Sequence, residues 1–237
     1  MAAKLDELQL AEALPYELRH RRDPQRAKPD AMLQAFPGES VGNFLQRVRP
    51  SSEYTSPSLQ SSWRWIWIPG PSQSTPTSPE PLNDATKLQC MMEVRAVVDG
   101  WSDRLPTLLA SDVATEARKV SANMFALAKH YNYGSGKLLL SVDASVVDNV
   151  WAAVVHATVD GKLGGGAKVS TKTSINQHVL CIVVACFWDE AKVLAILQHL
   201  SSLGLHVTAF KPDIFSSLRS HDLKALHLHS LLYNPAP

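Results

Sequence analysis

Three tryptophans at alternate positions, Trp63, Trp65 and Trp67, lie in the run Ser62-Trp-Arg-Trp-Ile-Trp-Ile68. In an extended strand successive side chains point to opposite faces, so the three rings share one face and Arg64, Ile66 and Ile68 the other. Such a stripe has two uses: on an open sheet it stacks nucleic-acid bases, and beneath helices it is core. Two glycine-lysine stretches, Gly134-Ser-Gly-Lys137 and Gly164-Gly-Gly-Ala-Lys168, suggest phosphate loops. Neither meets the requirements of one. A P-loop has Ser or Thr after its Gly-Lys pair and leads into a helix, whereas here Leu138 leads into a strand and the first glycine position is Tyr131. His227 and His229 alternate at the end of the chain and lack an acidic or cysteine partner for a metal. With no His-Glu-x-x-His pair and no paired carboxylates in a defined setting, the chain reads as non-enzymatic, without metal or cofactor. The basic cluster Arg19, His20, Arg21, Arg22, Arg26 and Lys28, opposed by Asp23, reads as a solvated charged face that can touch phosphates.

The elements that must position these groups are plainest from Tyr133 to Asp213, which read as strand, helix, strand, strand, helix, strand. The first strand is Lys137 to Val142. The helix after it carries Val147, Val150, Trp151, Val154, Val155 and Thr158 on one stripe, with Ser145 and Asp148 at capping-box spacing and Gly161 past its last turn. The strand His178 to Ala185 is apolar at every position after the histidine, so it is predicted to be central with both faces covered. Asp189 and Glu190 open a further helix with Val193, Ile196, Leu197, Leu200 and Leu203 on one face, and Gly204 ends it. The strand Leu205 to Lys211 alternates, as in a sheet with helices behind and solvent or ligand in front. Upstream, helices are predicted over about Asp84 to Arg104, burying Met91, Val94, Val98 and Trp101, and about Asp112 to Tyr131, burying Val113, Val120, Met124, Leu127 and Tyr131.

A chain of 237 residues, 45% hydrophobic, supports one domain of ordinary size with loose segments. Residues 1–60 mix charge, Pro and Ser with only short helical pieces, such as Asp30 to Phe36 and Val41 to Val48, and are expected to form a loosely ordered arm. Residues 61–237 are expected to form a single domain, with a flexible loop at 69–83 that holds five prolines. A net charge of +1 gives no global attraction to nucleic acid or membrane, so any such attraction is local. Cys90, Cys181 and Cys186 are an odd number without metal spacing, as expected of reduced thiols in the cytoplasm or nucleus. The N-terminus lacks an apolar signal region, and the run Val179 to Trp188 is too short to span a bilayer, so no membrane partner is expected.

The order of these pieces resembles the translation initiation factor 4E superfamily. The residues that carry the resemblance are the tryptophan-rich first strand, Val97-Val-Asp-Gly-Trp101, Gly136-Lys-Leu-Leu-Leu-Ser-Val142, Val147-Asp-Asn-Val-Trp151, Ala167-Lys-Val-Ser-Thr-Lys172 and Val179-Leu-Cys-Ile-Val-Val184. More closely, Gly136-Lys137, Asp148 to Trp151, Val159-Asp-Gly-Lys-Leu163, Ala167-Lys-Val-Ser170 and Lys211-Pro-Asp213 resemble the uncharacterised family of basophilic leukaemia-expressed protein. The resemblance covers about residues 60–235. It implies an α+β fold, a curved, mainly antiparallel sheet backed by about three long helices, with a concave face that holds a methylated guanine in the initiation factor.

Carried over residue by residue, it implies an altered site. The segment where the factor has its first base-sandwiching tryptophan, 69–83, contains no aromatic residue, and the position of the second offers Tyr133. Lys168 and Lys172 fall where the factor holds phosphates, the alternative being ordinary exposed lysines. Val97 and Trp101 fit the Val-x-x-x-Trp pattern that receives helical peptides on the helical back. The sequence therefore leads to a binding module for RNA or a nucleotide-like ligand, with Lys168, Lys172 and Tyr133 as ligand-side residues. The competing reading is a protein-interaction scaffold using Val97 and Trp101.

Overall fold

The computed structural model describes residues 32–52, 55–56, 59–62, 65–71, 83–171, 176–216, 218 and 220–228. The basic cluster at 19–28, Trp63, Arg64, most of the loop at 69–83, Lys172 and His229 lie outside the described residues. The chain divides into two compact units, one built from 83–135 and 211–228 and the other from 32–71 and 136–210.

The second unit holds most of a six-stranded, mostly antiparallel sheet, so the chain is α+β. In chain order its elements are β1 (Met32–Leu33), α1 (Val41–Arg47), the separate hairpin of β2 (Thr55–Ser56) and β3 (Leu59–Ser62), and β4 (Trp65–Pro69). The first unit contributes α2 (Asp84–Arg104) and α3 (Ala110–His130). There follow β5 (Gly136–Asp143), α4 (Val147–Val159), β6 (Gly166–Ser170), β7 (Gln177–Val184), α5 (Glu190–Ser202) and β8 (Ala209–Pro212), then the short α6 (Asp213–Ser216) and α7 (Ser220–Ala225). The strand order is β1-β4-β6-β7-β5-β8, with β1 parallel to β4 and the β4-β6, β6-β7 and β5-β7 ladders antiparallel. β7 is flanked on both sides, as its apolar run predicts.

One face of this sheet is a continuous core. Ile66, Leu138, Leu140, Val169, Leu180 and Ile182 point into it and meet Trp151, Val154 and Val155 of α4 and Ile196 and Leu200 of α5. The helix stripes read from the sequence are the surfaces that seal this face. His178 is buried here too, and its Nδ1–H donates to the Ser170 carbonyl at 2.8 Å.

Three details depart from expectation. The segment 32–48, read as part of a loose arm, is built into this core: Phe44 and Val48 are buried, Leu33 packs against the core, and β1 pairs with Trp65 and Ile66, so the helical piece read at 30–36 is a strand at Met32–Leu33, while that at 41–48 is α1. The capping box at Ser145 does not form, because Ser145 donates its N–H and hydroxyl to Asp143, while Asp148 accepts the N–H and hydroxyl of Ser51. The second face of β7 is covered only in part, since Cys181 is buried and Val179 is 44% exposed.

The first unit packs α2, of 21 residues, against α3, also of 21. Against the expectation of about three long helices, the described residues hold these two and, in the sheet unit, α4 and α5 of 13 residues each. Met91, Val94, Val98 and Trp101 of α2 are buried as predicted. In α3, Val120 and Met124 are buried, whereas Val113, Leu127 and Tyr131 are half-buried, and the small residues Ala117 and Ala128 are buried with them. Tyr131 donates its hydroxyl to Glu93 across the pair, and Glu93 also accepts from Gln89.

Four helices end the same way. In each, a residue with positive φ follows the helix, and its N–H and the next one reach back to carbonyls of the last turn: Asn132 after α3, Gly161 after α4, Gly204 after α5 and His227 after α7. This is the Schellman motif. Its glycines are visible in the sequence, while the Asn and His versions are not.

Candidate functional site

The face of the sheet opposite the core follows from strand alternation and register. Odd positions of β4 and β5 and even positions of β6 point to it, so one row across the sheet reads Trp67, Lys168, Cys181, Leu139, and the row beside it reads Pro69, Gly166, Val183, Lys137. Trp65 stands opposite Ser170, and Val179 opposite Ser141, on the other side of the first row. The tryptophan stripe is thus not the core stripe: Ile66 and Ile68 are buried, while Trp65 and Trp67 are half-buried.

The residues lock one another in place. The Lys168 ammonium lies over the Trp65 ring, 4.2 Å from its centroid, a cation–π contact between neighbouring strands. The Trp67 ring packs against Gly166, where a Cβ would come 2.3 Å from the ring, so only glycine leaves room for it. Gly164 has φ +46, and a Cβ there would meet the Val183 carbonyl at 2.2 Å. The glycine run therefore serves packing: the Gly165 N–H donates to Val183 and its carbonyl accepts from Gly70. Cys181 is buried beneath the row, at 3% exposure. At the far end of β5 lies Asp143, whose carboxyl is held below its usual range by the Ser145 hydroxyl and N–H.

The other predicted site residues are placed differently. Tyr133 is buried at 8% exposure, its N–H closing the end of α3 on the Ala128 carbonyl, so its ring is structural and belongs to the helical unit. Trp101 is 2% exposed and donates its indole N–H to the Leu226 carbonyl at 2.8 Å. It is a core tryptophan whose polar atom is satisfied from within, and Val97 beside it is half-buried. Of the two predicted lysines, Lys168 stands on the open face and Lys172 lies outside the described residues.

One residue escapes a reading by motif, and one motif misleads. Lys137 shares the face with Lys168, which the alternation of Leu138, Leu140 and Val142 into the core makes legible. Gly38-Glu-Ser-Val-Gly42 has the spacing of a hydrolase nucleophile elbow. Ser40 is instead the N-cap of α1: it has ordinary extended dihedrals and its hydroxyl accepts the Asn43 N–H, while Glu39 pairs with Arg47. His227 is the turn residue that ends α7. Among the described residues no three His, Cys, Asp or Glu side chains group to hold a metal, and no helix is long and apolar enough to cross a membrane.

Fold and surface together define an α+β protein with a two-faced open sheet, apolar and sealed behind, aromatic and basic in front. The family model of basophilic leukemia-expressed protein Bles03 matches residues 7–219. The chain belongs to that family.

Proposed function

We propose that this chain is a non-enzymatic binding module that takes RNA or a nucleotide-like ligand on the front face of its sheet, stacking bases on Trp65 and Trp67 and meeting phosphate with Lys168. One observation carries the reading. A lysine ammonium and two half-buried indoles share neighbouring strands on the face that the core does not use. Aromatic rings stack any base, and an adjacent cation neutralises the phosphate that follows. The described groups on this face are two lysines, aromatic and aliphatic side chains, Ser141, Ser170 and Gln177, a buried thiol and, at the far end, Asp143; the rings suit a planar base and the lysines an anionic phosphate.

On this reading the fold is a member of the initiation factor 4E-like superfamily whose cap pocket has been replaced. The order of strand, two long helices, strand, helix, two strands, helix and strand supports the kinship. The absence of an aromatic residue at 69–83 and the burial of Tyr133 support the replacement. Cap analogues are then bound weakly. The free thiols Cys90, Cys181 and Cys186 suit the cytoplasm or nucleus.

The test is a titration of a short single-stranded RNA against the full chain and Trp65→Ala, followed by fluorescence anisotropy. Loss of one stacking platform is expected to weaken binding by about 1 to 3 kcal/mol. Equal affinity of the two proteins, or no binding by the unsubstituted chain, contradicts the proposal.

A further inference from the structure

The strands that make the front face also place an obstacle on it. The Lys168 ammonium occupies the Trp65 ring at 4.2 Å, on the surface a base needs for stacking. Resting on the reading above, we propose that Lys168 is a cover on Trp65 that phosphate draws away, so that the face selects a nucleotide, base and phosphate together, over a bare nucleoside. An ammonium on an indole is held by the ring's quadrupole, and an uncharged base has nothing to offer that ammonium in exchange. A phosphate does, through a charge-assisted hydrogen bond, and the flexible four-carbon stem lets the ammonium swing to it while the backbone stays in the β6 ladder. The same movement uncovers the ring for the base attached to that phosphate.

The experiment compares adenosine, adenosine monophosphate and inorganic phosphate as titrants of the full chain, read by tryptophan fluorescence quenching and by calorimetry. Lys168→Ala and Lys168→Arg are the variants, each checked for folding by circular dichroism. The unsubstituted chain is expected to bind the monophosphate at least about tenfold more tightly than adenosine. In Lys168→Ala the monophosphate weakens, adenosine strengthens because its platform is open, and the preference falls below about threefold. Lys168→Arg keeps the preference, since it keeps both the cation–π contact and the charge. Adenosine affinity that is unchanged or lower in Lys168→Ala overturns the cover. If the unsubstituted chain binds adenosine as well as the monophosphate, the cover is refuted while the nucleotide-binding reading stands. If it binds neither these nor a short RNA, both fall.

Discussion

The two faces of the one sheet are built from the same strands and do opposite things. Behind, Leu138, Leu140, Val169, Leu180 and Ile182 interlock with Trp151 and its neighbours, and the large side chains are fully buried. In front, Trp65, Trp67, Lys168 and Val179 stay partly exposed, Trp65 meeting Lys168 in a cation–π contact and Trp67 packing on a glycine. A tryptophan behind the sheet is therefore a stability residue and a tryptophan in front a surface residue. Residue type alone does not tell them apart; the face does.

This contrast is broken most severely at Trp151, which is 0% exposed in the core. Trp151→Ala is expected to cost about 3 to 5 kcal/mol in urea unfolding, because the cavity sits among rigid β-branched neighbours. A change under about 1 kcal/mol would show that the rear face is not the core. Trp65→Ala, by comparison, is expected to leave the fold nearly intact.

Gly166→Ala is next, at about 1 to 3 kcal/mol, since the added methyl meets the Trp67 ring and the residue has φ +153. It should also shift the tryptophan emission, which would place Trp67 on the glycine in solution. A folded variant of unchanged stability and emission would separate the two residues.

Lys168→Ala should change stability by less than about 1 kcal/mol, the worth of a half-exposed cation–π pair. A larger loss would make Lys168 a structural strut rather than a ligand-facing group.

The smallest effect sharpens the comparison through chemistry. Burial, and the nearby Glu93 carboxylate, raise the Cys90 thiol to about 11 from its ordinary 9.0. Between those two values the unfolded chain loses the proton and the folded one keeps it, so Cys90 lowers stability as pH rises from about 9 to 11, and Cys90→Ala removes that part of the slope. At pH 8 in the folded protein, alkylation should reach the half-buried Cys186 well before Cys90 and Cys181. Early labelling of Cys181 would mean that the front face opens below the Lys168 row.

What the sequence made legible was whatever repeats at a fixed period. The stripes of α2 and α4, most of that of α5 and the glycines at 161 and 204 are local signals that land where their period puts them, while Leu203 at the end of the α5 stripe is exposed. Phe44 and Val48 were illegible because α1 has seven residues, too few for a stripe, and their burial depends on strands far along the chain. The capping box failed for a related reason, since Asp148 is claimed by Ser51, 97 positions away. For the site, Lys168 and the tryptophan alternation could be read directly, whereas their meeting depends on the register of β4 with β6. Trp101 and Tyr133 matched a pattern, but burial and satisfied backbone or indole groups took them out of reach of a ligand.

The central claim is that the front face meets phosphate through Lys168. It is tested most directly by the salt dependence of single-stranded RNA affinity, measured for the unsubstituted chain and for Lys168→Ala over the same range of monovalent salt. If Lys168 holds one phosphate, the slope of log affinity against log salt flattens by about 0.7, and affinity falls alike for every sequence tried. An unchanged slope and affinity in a folded Lys168→Ala protein would contradict the claim and leave the front face without a phosphate contact at Lys168.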